Sequence, residues 1–90
     1  MYLSVKNVKP LNDYKLLLEF ENNEKRIFDV SPYLNIGKFS ELQDRSLFNS
    51  VKIKFDTIEW ANNLDIDPEF LYEKSIKVDE VEALKHTSLA

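Results

Sequence analysis

Acidic residues between positions 65 and 73 have the types and the spacing that could carry chemistry. Asp65 and Asp67 form an Asp-x-Asp pair, and Glu69 follows two residues later. In an extended segment both aspartates point to the same side, and carboxylate oxygens are the ligands that Mg²⁺ and Ca²⁺ prefer. One interpretation is therefore a small metal-dependent enzyme that uses Asp65 and Asp67.

A structural role explains the same residues with fewer assumptions. Asp67 precedes Pro68 and Glu69, and this order is typical of the start of a helix that is capped by the aspartate. No further oxygen ligands follow in a known metal-binding loop pattern. We therefore expect neither a metal nor a cofactor.

The other residue types that catalysis commonly uses are scarce in this chain. It has no cysteine, a single histidine, His86, and a single glycine, Gly37. These counts exclude thiolate chemistry and the glycine-rich loops that cradle phosphates. His86 is expected to be a solvated residue near a helix end, where a positive charge is mildly favoured. The sequence therefore predicts a protein that is not an enzyme.

Negative charge is concentrated in the last third of the chain. Residues 1–60 hold nine basic and nine acidic side chains, residues 61–90 hold three basic and seven acidic ones, and the net charge is −4. This balance disfavours direct binding to nucleic acid, which needs Lys and Arg to neutralise phosphates. The alternatives for the acidic run are a solvated helical face and a docking surface for a basic protein. The residues that we assign to such an interaction face are Asp65, Asp67, Glu69 and Glu73.

Nothing in the sequence indicates a membrane span or a secretory signal. The longest apolar run, residues 16–18, is far shorter than the ~20 residues that cross a bilayer. The first six residues lack the apolar stretch of a signal peptide. We therefore expect a cytoplasmic protein that does not bind membranes.

Alternating apolar and polar residues predict three strands near the N-terminus, over residues 2–9, 13–21 and 24–30. The alternation slips at Asn7. Asn22 and Asn23 separate the last two strands and tolerate the positive φ of a two-residue hairpin turn. Such a turn places Glu19 opposite Arg26, an ion pair that supports this register.

A second hairpin is predicted over residues 51–60, with its turn at Asp56 and Thr57. This turn places Phe55 opposite Ile58, so that both face the core. The strand and helix periodicities together predict a core of Leu16, Leu18, Phe20, Ile27, Leu42, Phe48, Ile53, Phe55, Trp60, Phe70 and Leu71.

These elements predict a single α+β domain over residues 1–78. Its sheet is small, antiparallel or mixed, and is built from the two hairpins plus the N-terminal strand, with short helices beside it. Residues 79–90 are predicted to form a helical or frayed tail that is dispensable for folding.

Several segments together resemble a known family. The most specific is the pattern Trp-x-x-x-x-Asp-x-x-Pro-Glu-x-Leu-Tyr, which runs from Trp60 to Tyr72. Others are Asp13-Tyr14-Lys15-Leu16, Phe28-Asp29-Val30 and Phe39-Ser40-Glu41-Leu42. Over roughly residues 3–74 the chain resembles the small bacterial family catalogued as domain of unknown function 2442. It departs from that family at Asn22-Asn23 and at Asn63, where members usually carry Asp-Gly and Gly.

The resemblance implies an α+β fold and no established activity, so no catalytic residues carry over. Some members resemble partners of a small neighbouring protein, in an arrangement suggestive of toxin–antitoxin pairs. We therefore expect a protein-interaction module that binds the product of a neighbouring gene, in an oligomeric state that the sequence leaves open. Other members are joined to a helix-turn-helix domain, which implies the alternative of an accessory transcriptional regulator that acts through a partner.

Overall fold

The computed structural model describes residues 3–79. The strands in this range are β1 (Val5–Pro10), β2 (Lys15–Phe20), β3 (Lys25–Asp29), β4 (Lys52–Lys54), β5 (Thr57–Glu59), β6 (Asp65–Ile66) and β7 (Ile76–Val78). The α-helices are α1 (Arg45–Phe48) and α2 (Pro68–Lys74), and short 3₁₀ segments span Asn12–Tyr14, Ser31–Tyr33 and Gly37–Gln43. The predicted α+β class is confirmed.

The N-terminal strands form one antiparallel sheet, whose order is β1-β2-β3-β7. The three strands predicted in this part of the chain are confirmed, although β2 begins only at Lys15, after the 3₁₀ turn. Strand β1 contains an irregularity between Val5 and Asn7, where the apolar alternation slips. An extra residue at this point lets the apolar side chains on both sides of it face the core.

The predicted register of the first hairpin is wrong by one residue. Arg26 pairs with Leu18, whereas Glu19 pairs with Lys25. The loop has three residues, 21–23, instead of two. The Asn23 N–H donates to the Phe20 carbonyl at 2.8 Å, and within this loop only Asn23 takes a positive φ, of 69°. A shift of one residue turns each side chain of a strand to the other face, so Arg26 lies on the core side of the sheet.

Strands β4, β5 and β6 form a second, three-stranded antiparallel sheet. Its hairpin turns at Phe55 and Asp56, one residue earlier than predicted, so that Lys54 pairs with Thr57. Ile53 pairs with Ile58, and both side chains point toward the core, as the alternation predicts. The prediction that Phe55 lies in the core is wrong, since its side chain is 90% exposed.

Both sheets and helix α2 contribute to one main core. The predicted core residues that are fully buried are Leu16, Leu18, Phe20, Leu42, Phe48, Trp60 and Leu71. Ile27, Ile53 and Phe70 are half-buried. The indole Nε1 of Trp60 donates to the Phe48 carbonyl at 3.0 Å, so the largest buried side chain also has its polar atom satisfied.

The predicted start of α2 is confirmed by its capping geometry. The Asp67 side chain accepts a hydrogen bond from the backbone N–H of Glu69 at 2.8 Å, and Pro68 is the first helical residue. After α2 the chain forms β7, which adds a fourth strand beside β3 and was not predicted. Except for Asp79, the predicted tail over residues 79–90 lies outside the described residues.

Within residues 3–79, no helix has both the length and the apolar character that crossing a bilayer demands.

Candidate interaction site

The four acidic residues that were predicted to form an interaction face occupy different positions in the structure. Asp65 is exposed on β6. Glu69 and Glu73 are exposed on α2, one helical turn apart and therefore on one side of the helix. Asp67 is engaged as the cap of α2. The structure thus brings Glu69 and Glu73 together and gives Asp67 a structural role.

The structure provides no support for a metal site at these residues. In the described part of the chain, no group of three or more His, Cys, Asp or Glu side chains is arranged to hold a metal ion. His86 lies outside the described residues.

Asp65 has an acidic neighbour that the sequence did not reveal. It pairs directly with Glu59 across β5 and β6, and like charges in that relationship are destabilising. The Lys54 Nζ lies 3.2 Å from Glu59 Oε1 and offsets part of this repulsion. Lys52 pairs with Glu59 from the other side, and the Glu59 side chain is only 12% exposed, so Asp65 is the exposed member of the acidic pair.

Phe55 stands at the tip of the β4–β5 hairpin beside this acidic pair. Its φ is +56°, a conformation that a bulky aromatic residue rarely adopts and that Gly or Asn would adopt readily. Its ring gains almost no burial, because the side chain is 90% exposed. Phe55 thus occupies a strained position without a compensating contribution to the core.

The hairpin that carries Phe55 is held from both sides. The carbonyl of Asp56 accepts a hydrogen bond from the backbone N–H of Val5 at 2.9 Å, which ties the turn to β1. The Thr57 hydroxyl donates to the carbonyl of Ile66 and ties the turn to β6. These bonds fix the backbone on either side of the exposed ring.

An open cleft of about 210 Å³ lies at this tip. Its lining residues are Lys54, Phe55, Asp56, Thr57, Glu59 and Asp65. The cleft combines an aromatic ring with three carboxylates and one lysine. A basic side chain of a partner would contact both the carboxylates and the face of the Phe55 ring here. The sequence did not reveal this site, because Ile53 and Ile58 face the core whether the hairpin turns at residues 55–56 or at residues 56–57. The apolar alternation therefore does not show that Phe55 is exposed.

A second polar cluster, also missed from the sequence, joins β3 to the end of α2. Arg26 donates from Nη1 to Glu24 Oε1 at 2.8 Å and from Nε to the Ser75 hydroxyl at 2.8 Å. The Tyr72 hydroxyl lies 3.0 Å from both carboxylate oxygens of Glu24. We call these four residues the Arg26 cluster. Its donors and acceptors satisfy one another, so its role is to hold α2 and β7 against the sheet.

The Arg26 cluster also changes the acidity of Glu24. Burial opposes ionisation of this carboxyl, but the hydrogen bonds from Arg26 and Tyr72, with the positive charge of Lys77 nearby, outweigh burial and hold the pKa of Glu24 below 4.5. The ionised form of Glu24 is therefore the one that the fold stabilises.

Comparison with known proteins places the chain in a family. The family described as "Protein of unknown function (DUF2442)" matches residues 5–77, from the first residue of β1 to the middle of β7. Comparison with curated proteins and with solved structures yields no significant match. Because the family match covers both sheets and α2, the chain belongs to the DUF2442 family.

Proposed function

We propose that this domain functions by binding another protein, the product of a neighbouring gene, through the hairpin tip formed by Phe55, Asp56, Glu59 and Asp65. The observation that carries the proposal is Phe55, which is 90% exposed and has a φ of +56°. A large apolar side chain that is both strained and solvated lowers stability, so its benefit lies outside the isolated fold.

Burial of the Phe55 ring in a partner would supply a substantial share of the binding free energy. Moving a phenylalanine side chain from water into an apolar pocket contributes about 1.5–3 kcal/mol. Aromatic residues surrounded by a polar rim are also the usual anchors of protein interfaces. The hydrogen bonds of Asp56 and Thr57 support this role, because a fixed hairpin loses little conformational entropy on binding.

The charges around Phe55 favour a basic partner. Asp65 and Glu59 pair directly across two strands, and a cation from the partner would relieve their repulsion. Glu69 and Glu73, which do not line this cleft, are two further exposed carboxylates on α2. A toxin–antitoxin-like pairing, in which a small protein binds a neighbour of opposite charge, is one form of the proposed interaction.

Co-purification with the neighbouring gene product tests the proposal. We expect a complex at low salt that weakens as salt rises past ~0.15 M, where charges are screened over about 8 Å. Asp65→Lys should weaken it further, whereas Ile36→Ser, a change at an exposed apolar residue (57%) elsewhere on the surface, should not. If no complex forms at any salt concentration, the proposed partner is wrong. A complex that is indifferent to salt and to Asp65→Lys would refute the acidic contribution.

A further inference from the structure

The ring of Phe55 protrudes from the β4–β5 hairpin, and its surroundings limit what kind of surface could receive it. Its side chain is 90% exposed, whereas Ile36 and Ile76, the other large apolar side chains exposed within residues 3–79, are 57% and 74% exposed. An aromatic side chain can bury about 150–250 Å². Almost all of this area of Phe55 therefore remains available to a binding partner.

The backbone of the hairpin tip is already engaged within the domain. Lys54 pairs with Thr57 across the hairpin, and the Asp56 carbonyl accepts a hydrogen bond from the Val5 N–H at 2.9 Å. The Thr57 hydroxyl donates to the carbonyl of Ile66. A partner that adds a strand to a sheet needs unpaired backbone groups along an edge. Recognition at this tip therefore depends on side chains, and the Phe55 ring is the most accessible of the apolar ones.

The charges beside the ring favour a protein over a lipid surface. Three carboxylates line the cleft that contains Phe55, those of Asp56, Glu59 and Asp65, against the single lysine Lys54. Segments that insert an aromatic side chain at a membrane surface carry Lys and Arg beside it, because anionic lipids attract cations and repel carboxylates. The charge balance at the tip is the opposite of this pattern.

We propose that the partner encloses the Phe55 ring in an apolar pocket. This inference rests on the proposed function, because it presupposes that a protein binds at the hairpin tip. On a flat surface only one face of a protruding ring loses its water, whereas in a pocket both faces and the edge do, so that most of the available area contributes to binding. The charged side chains around Phe55 then form the polar rim that surrounds a desolvated anchor.

The substitution Phe55→Tyr tests whether the ring is enclosed. It adds one hydroxyl at the far end of a side chain that is 90% exposed, so the urea midpoint of unfolding should stay the same. In an apolar pocket this hydroxyl would lose its water without gaining a hydrogen-bond partner. Titration calorimetry with the purified product of the neighbouring gene should therefore give a dissociation constant about tenfold higher or more.

The control is Ile36→Thr, which introduces a hydroxyl at an exposed apolar residue (57%) elsewhere on the surface and should bind like the wild type. Wild-type affinity of Phe55→Tyr, combined with weaker binding of Phe55→Gly, would overturn the inference. That result would show that the ring contacts the partner without being enclosed, and it would leave the proposed function intact.

Two further results would also overturn the inference. One is binding of the wild type to vesicles of phosphatidylcholine and phosphatidylserine that is lost in Phe55→Gly, since it would place the ring in a membrane. The other is a wild-type protein that does not bind the neighbouring gene product at all. In that case the proposed function fails, and the inference that rests on it fails as well.

Discussion

The guanidinium carbon of Arg26 lies 4.2 Å from the centre of the Tyr72 ring. The two residues are far apart in sequence, and their contact connects the second half of the first hairpin to α2. Glu24 strengthens this connection, because it accepts from Arg26 and lies 3.0 Å from the Tyr72 hydroxyl. The arrangement places the charged Arg26 on the core side of the sheet, where each of its three guanidinium nitrogens donates a hydrogen bond to Glu24 or Ser75.

The first prediction concerns the geometry of Arg26. Lysine keeps the charge but lacks the planar fork that contacts Glu24, Ser75 and Tyr72 together. We expect Arg26→Lys to lower the free energy of unfolding by about 1–3 kcal/mol, measured by urea denaturation. The control is Lys54→Arg at a half-exposed surface ion pair, which should change stability by less than about 0.5 kcal/mol. Equal effects of the two substitutions would contradict the role assigned to Arg26.

The second prediction concerns acid stability. Because the pKa of Glu24 in the folded protein is below 4.5, its ionised form stabilises the fold at higher pH, and that contribution is lost as pH falls through the folded-state pKa. Glu24→Gln should therefore flatten the decline of stability between about pH 5 and about pH 3. Some decline should remain, because a hydrogen bond from the Asn7 side chain also lowers the pKa of Glu19. Unfolding midpoints of the wild type and of Glu24→Gln, measured across this pH range, would test the prediction. If stability falls with pH equally steeply in both proteins, the prediction is wrong.

Local signals predicted those parts of the fold that depend on local physics. Apolar alternation predicted β1 to β3, and the order Asp67-Pro68-Glu69 predicted the start of α2. Neither signal depends on what the segment packs against. Strand β7 could not be predicted this way, because Ile76–Val78 is short and becomes a strand by pairing with β3.

The hairpin registers show where such reasoning fails. A two-residue loop and a three-residue loop both suit the asparagines between β2 and β3, yet they place Arg26 on opposite faces. The choice depends on Tyr72 and Ser75, which are distant in sequence. Similarly, either turn position keeps Ile53 and Ile58 inward, so the exposure of Phe55 has no local signal. The candidate site could therefore be found only from the structure.

The third prediction concerns the main core. Trp60 is fully buried and its indole donates to the Phe48 carbonyl. Trp60→Ala should lower the free energy of unfolding by about 3–5 kcal/mol, measured by chemical denaturation, because it leaves a cavity and an unpaired carbonyl. A loss of less than about 1 kcal/mol would contradict the position of Trp60 in the core.

The fourth prediction concerns the extent of the domain. A chain that ends at Val78 should still unfold in one cooperative transition, because the main-core residues that the structure describes all lie between Leu3 and Tyr72. Thermal unfolding followed by circular dichroism would measure this transition. Loss of the cooperative transition would show that the last residues belong to the main core.

The fifth prediction separates stability from binding at Phe55. Glycine adopts a φ of +56° without strain, whereas phenylalanine does not, so Phe55→Gly should leave stability unchanged or raise it by up to about 1 kcal/mol. The larger freedom of glycine in the unfolded chain offsets part of this gain. A loss of more than about 1 kcal/mol would mean that the Phe55 ring supports the fold.

The affinity of the Phe55→Gly variant for the neighbouring gene product is the most direct test of the proposed function. Titration calorimetry should give a dissociation constant at least about tenfold higher than that of the wild type, a change of about 1.4 kcal/mol, with no loss of folding stability. Ile36→Ser should bind like the wild type. An affinity unchanged by Phe55→Gly would contradict the claim that the hairpin tip is the binding surface.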